Sequence, residues 1–146
     1  MGKAKIRVLL IEPMEHPKSH TIEPTRHAFE KAVNVGAAYN GKVEAKKLER
    51  GIYAMYNKDR FLSDLVPNRR IGDDIIVGKL FVVAVDDHRK PISMTDEQMI
   101  KYALRFWHME SFDEMDVMEA NMNTFLLHSL KDEENRRQKN TSGSLR

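Results

Sequence analysis

Residues 75–85 read Ile-Ile-Val-Gly-Lys-Leu-Phe-Val-Val-Ala-Val. Six of these eleven residues are β-branched, a side-chain type whose stiff χ1 suits a pleated strand. The apolar positions are nearly consecutive, and this is the strongest strand signal in the chain. Gly78 inside the run predicts a bulge or a close backbone approach. Ile6–Ile11 (IRVLLI) has the same character. It stops at Glu12-Pro13, because proline has no N–H for a ladder. Two such runs predict the central strands of one sheet.

The flanking segments fill in the architecture. Residues 14–24 read as loop, with a short strand at His20 to Glu23. Thr25 is a plausible N-cap; Ala28, Phe29, Ala32 and Val33 recur at helical spacing, and Gly36 is a stop, which predicts a helix over 25–35. Asn40-Gly41 signals a turn. Residues 42–49 fit either a helix or a strand; read as a strand, they pair with 51–56 as a hairpin around Gly51. Residues 61–74, with Pro67 and Gly72, read as irregular. Asp86 to Lys90 is a polar turn before a short edge segment at Pro91-Ile92.

Thr95-Asp96-Glu97-Gln98 fits a capping box, with Met94 and Met99 where a hydrophobic staple needs them. Met99, Ile100, Ala103, Leu104 and Trp107 then form the expected inner face of a helix. Ser111-Phe112-Asp113-Glu114 reads as a second capping box. It opens helix 111–131, whose apolar stripe is Met115, Met118, Met122, Phe125, Leu126 and Leu130. The fold class is therefore α+β: a small mixed or antiparallel sheet of four to five strands, helices on one side, and a C-terminal amphipathic helix. The expected division is a domain over 1–107, a helical extension over 108–131 and a polar, disordered tail over 132–146.

The chain has 146 residues, one domain's worth. Its zero cysteines exclude a disulfide scaffold, a thiolate metal site and a cysteine nucleophile, and fit a reducing cytoplasm. The longest apolar run falls far short of a membrane span. The net charge of +2 is unevenly spread: residues 1–50 carry 10 basic and 6 acidic side chains, and residues 94–134 carry 3 and 10. Such a surface is polarised.

No nucleophile elbow, P-loop or dinucleotide fingerprint is present. Asp73-Asp74 and Asp86-Asp87 are adjacent pairs, and neighbours on a strand point to opposite faces, so neither pair can aim two carboxylates at one site. His16, His20 and His27 with Glu12 and Glu15 lack the spacing of a helical metal pair. No cofactor and no metal is implied. The Asn68-Arg69-Arg70 triplet is different. Arginine presents a planar fork suited to phosphate or carboxylate, and asparagine adds a donor and an acceptor. With Glu12 these three residues are the candidate ligand- or partner-binding set; the other reading is a structural loop whose arginine ties backbone carbonyls. The stripe Met115, Met118, Met122, Phe125 and Leu126 is the candidate docking helix. It covers its own domain, a second copy in a homo-oligomer, or a partner.

Ile11-Glu12-Pro13, Leu65-Val66-Pro67-Asn68-Arg69, Gly78 to Val83 and Ser93 to Gln98, in this order, resemble an uncharacterised domain family of phages and mobile elements of Gram-positive bacteria, known only as a domain of unknown function and found also in polyvalent proteins. The resemblance covers about residues 5–107. It implies no chemistry, but it does imply a setting: a small accessory protein in the host cytoplasm that acts by binding and modulates or inhibits a host defence or regulatory protein. The alternative is a nucleotide- or nucleic-acid-binding protein using Asn68-Arg69-Arg70, and the third reading is a small enzyme without a recognisable motif.

Overall fold

The computed structural model describes residues 4–34, 42–58 and 66–144. Gly36, the Asn40-Gly41 turn and residues 61–65 lie outside the described residues. The elements run β1 (Ile6–Ile11), β2 (Lys18–Ile22), α1 (Arg26–Val33), β3 (Val43–Glu49), β4 (Ile52–Asn57), β5 (Pro67–Ile71), β6 (Asp74–Val77), β7 (Leu80–Val85), β8 (Pro91–Ile92), α2 (Asp96–Arg105) and α3 (Glu114–Ser144). The main sheet has the order β2-β1-β7-β4-β3, with β8 added to β7, and all its pairings are antiparallel. The α+β class and the antiparallel sheet are as read from the sequence.

The long run at 75–85 is two strands rather than one bulged strand. Gly78 has φ of 72°, a region open to glycine at no steric cost. There the chain leaves β6, which pairs with β5 in a separate two-stranded sheet, and enters β7 at the centre of the main sheet. Part of the segment expected to be irregular is therefore β5. Gly51, with φ of 80°, forms the tip of the β3–β4 hairpin, and its carbonyl accepts a hydrogen bond from Val85 N at 2.9 Å.

The helices cover both faces of the sheet, not one. Val8, Leu10, Phe81 and Val83 pack with Phe29 and Val33 of α1. Leu9, Ile11, Leu80 and Val82 pack on the other side with Tyr102 and Phe106, and with Ile71 and Ile76 of the small hairpin. The reason lies in β1 and β7 themselves. β7 is apolar at every position and β1 from Val8 on, and such strands need cover above and below.

Helix α2 begins as expected. Thr95 Oγ1 accepts from Gln98 N at 3.1 Å, and Thr95 N donates to Gln98 Oε1 at 2.9 Å. Arg7 joins this end to β1: Nη2 donates to Met94 O at 2.7 Å, and Nη1 meets Asp96 at 2.7 Å. The buried face is rotated from the expected one. Tyr102 is buried while Ile100 and Leu104 are 61% and 68% exposed. Tyr102 wins because its ring enters the core while its hydroxyl donates to Glu49, a partner a buried tyrosine needs. Burial, then the Glu49 bond, raises its pKa.

Helix α3 starts at Glu114, later than the Ser111 cap predicts. Asp113 and Asp116 cap it reciprocally: Asp116 N donates to Asp113 Oδ1 at 2.8 Å, and Asp113 N to Asp116 Oδ2 at 3.1 Å. The helix continues to Ser144, so residues 132–144 of the segment read as a tail are helical. An Arg137–Glu133 pair at i,i+4 spacing, 2.7 Å apart, supports this exposed stretch.

Candidate functional site

Asn68 and Arg69 are not on a loop surface. They lie on β5 with exposures of 0% and 1%. Asn68 Nδ2 donates to Ile11 O at 2.8 Å and to Gly78 O at 2.7 Å. It thereby joins the end of β1 to the break between β6 and β7. Its Oδ1 accepts from Arg69 Nη1 at 2.9 Å. Arg69 Nε donates to Phe106 O at 3.0 Å, and Nη2 to Glu15 O at 2.6 Å. Phe106 caps the C-terminus of α2, where the helix dipole is negative and a cation is favoured. Burial lowers the guanidinium's pKa, partly offset by Glu110. The pair is a clasp between the β1–β2 loop, β5 and the end of α2. Their donors go mainly to backbone carbonyls, the arrangement of the structural loop that the sequence offered as the other reading.

Arg70 points outward. Its backbone N–H donates to Glu110 at 2.7 Å, and its guanidinium lies 5.6 Å from the Phe112 ring centre. It positions the segment leading into α3. The Glu12 carboxylate joins none of the arginines. It lies 2.9 Å from Lys18 and 3.7 Å from Lys79. The Lys18 bond holds Glu12 below its ordinary pKa against the opposing effect of burial, with Lys79 adding to the lowering.

A pH prediction follows from that direction. A depressed carboxyl pKa adds stability above the unfolded value, 4.5, and the contribution is lost as pH falls through the folded value. Glu12→Gln is expected to melt slightly below the wild type at pH 7, by less than about 1 kcal/mol because the pair is partly exposed. The two curves should converge on acidification below the unfolded pKa. A gap that persists in acid would assign Glu12 a role other than its charge.

The histidines do not gather. His16 stacks on Trp107 with centroids 4.0 Å apart and bonds Trp107 O through Nδ1 at 2.9 Å. His20 sits against Phe81, and His27 is exposed on α1. Among the described residues no three His, Asp or Glu side chains form a metal-binding group. Two open cavities lie on the α1 face. One, of about 360 Å³, is lined by Phe29, Val43, Ala45 and Met55. The other, of about 280 Å³, is lined by Lys47, Arg50 and Arg89 with Asp86 and Asp87. Its mixed charge does not concentrate a field for an anion.

Helix α3 carries the largest exposed feature. Met115, Met118, Met122, Phe125, Leu126 and Leu130 are 65%, 48%, 54%, 67%, 51% and 59% exposed. Ala120 is buried and Val117 half-buried. At 3.6 residues per turn these two lie broadly across the helix from the stripe, so the first turns of α3 touch the domain by the other side; beyond Ala120 every described residue, Leu127 included, is exposed. In the structure the stripe does not meet its own domain. The periodicity identified the stripe; the clasp at Asn68–Arg69 had no local signal that separated it from a recognition loop. Among the described residues no helix is long and apolar enough to cross a membrane.

Residues 6–107 match the model of a family described as a domain of unknown function (DUF3846), and the chain belongs to that family. No curated protein and no solved structure matches the chain. The family match holds the sheet, the clasp and α2, and it ends at Trp107, before α3 begins.

Proposed function

We propose that this member of the family acts by binding another protein, and that α3 is the element with which it does so. One observation carries the reading. A stripe of six large apolar side chains faces water on a helix that touches the domain only near its start, through Val117 and Ala120. Exposed apolar patches of this size mark interaction surfaces, and amphipathic helices enter partner grooves by such i, i+3, i+4 and i+7 anchors. Methionine supplies three of the six, and its flexible thioether adapts to a partner's shape. The acidic flank (Asp113, Asp116, Glu119) disfavours nucleic acid, whose phosphates repel it. It equally disfavours a membrane surface, which selects Lys and Arg beside the apolar face. The nucleotide reading loses its residues, since Asn68 and Arg69 are committed inside the fold.

In the setting that the resemblance suggests, a phage or mobile element, the target is a host defence or regulatory protein. The domain serves as a rigid platform, and Arg70 against Phe112 sets where α3 leaves it. The test is a pull-down from host lysate with the wild type and with Phe125→Asp side by side. The variant is expected to keep its far-UV circular dichroism and to lose the proteins that the wild type retains through moderate salt. Equal capture by both would remove α3 from the binding surface.

A further inference from the structure

We infer that in the free protein the apolar face of α3 is covered by the same face of a second copy, in an antiparallel helix pair. This rests on the reading of α3 as a docking surface and commits its occupant; a host target then takes the stripe in exchange for the second copy.

Three observations point to this chain as its own partner. The first is spacing. Met115, Met118, Met122, Phe125 or Leu126, and Leu130 succeed one another by three or four residues, the pattern of a helix–helix seam. Val117 and Ala120 face the domain on the other side, so a second helix can lie along the stripe without meeting the body of its own copy.

The second is area. Six large side chains about half exposed present on the order of 600 Å² per copy, close to the roughly 800 Å² per partner of a standard interface. A two-fold pair buries both patches at once, which no smaller contact does.

The third is charge, and it sets the direction. Residues 107–130 carry five acidic side chains and no Lys or Arg, residues 131–134 read Lys-Asp-Glu-Glu, and residues 135–146 carry four basic side chains and no acidic one. A parallel pair would place the acidic segment against itself. An antiparallel pair centred on the stripe has its two-fold axis at Met122–Asn123. In that register position 113 lies opposite Asp132 of the second copy, position 114 opposite Lys131, and positions 116 and 119 opposite the uncharged Ser129 and Leu126, so the acidic segment is not set against itself along its length. Opposed helix dipoles favour the same direction.

The chain has no cysteine, so a single introduced one reports the pairing. In the antiparallel pair residue 122 meets its own counterpart, whereas residue 115 meets Leu130 and lies about 22 Å along the axis from its counterpart. The wild type is expected to sediment at twice 17.0 kDa at high micromolar concentration, and Phe125→Asp as a folded monomer. Under mild oxidation Met122→Cys should form a disulfide-linked dimer and Met115→Cys should not, while Met115→Cys with Leu130→Cys should. Equal cross-linking of the two single variants would overturn the antiparallel arrangement. A monomeric wild type whose Phe125→Asp variant melts unchanged would overturn the self-pair and leave α3 as a docking surface for another protein. A monomeric wild type whose variant melts far lower would place the stripe on its own domain and overturn both readings.

Discussion

Replacing Arg69 by alanine is expected to lower the melting temperature by roughly 10–20 °C, the equivalent of about 3–5 kcal/mol for a domain of this size. The guanidinium is 1% exposed and holds the carbonyls of Phe106 and Glu15 and the side-chain oxygen of Asn68. Truncation leaves two buried acceptors and the part-buried Glu15 carbonyl without these donors, and it opens a cavity where the loop, β5 and the end of α2 meet. Lysine should not restore the stability, because one ammonium cannot reproduce a fork aimed in three directions. Arg70→Ala is the control. Its guanidinium makes a cation–π contact with Phe112 at an exposed site, worth about 0.5–1 kcal/mol. Thermal melts of the three variants decide the matter. An Arg69→Ala protein that melts like the wild type but fails to hold a partner would return this residue to a recognition role.

Phe81→Ala is the second large effect, expected at about 3–5 kcal/mol. Phe81 lies in the middle of β7, pairing with Leu10 on one side and Met55 on the other. Its ring meets Phe29 of α1 edge-on, with centroids 5.9 Å apart and planes at 81°, a geometry that adds to simple burial. Removing the ring takes away one of the contacts by which an eight-residue helix covers that face of the sheet. The urea midpoint should fall with the slope unchanged. Phe125→Ala, on α3, should leave the domain's own stability almost untouched. Equal losses at the two positions would mean that the α3 stripe packs on the core.

The contrast between these phenylalanines separates what was readable in the residues from what was not. Each sits in an apolar pattern of correct period, and each pattern correctly identified its element. Strands β1 and β7 were legible because β-branched, consecutively apolar runs have few other uses. The α2 start was legible because Thr95 and Gln98 satisfy each other's backbone within four residues. The β3–β4 hairpin was legible from one glycine at its tip.

Other features depended on groups distant in the chain. Asn68 and Arg69 look like a polar recognition loop until Ile11, Glu15 and Phe106 arrive from 57, 54 and 37 residues away. The buried face of α2 turned on a bond from Tyr102 to Glu49, 53 residues away. Gly78 signalled a special backbone, but whether it bulged one strand or separated two depended on where β5 lay. The two-sided cover of the sheet followed from burial patterns already present in β1 and β7. By itself the sequence determined element types, local caps and the existence of an apolar stripe on α3, because these depend on neighbours within a few residues. Only the tertiary structure decided which polar groups are buried and which apolar face stays open, because hydrogen-bond satisfaction and burial depend on the whole chain.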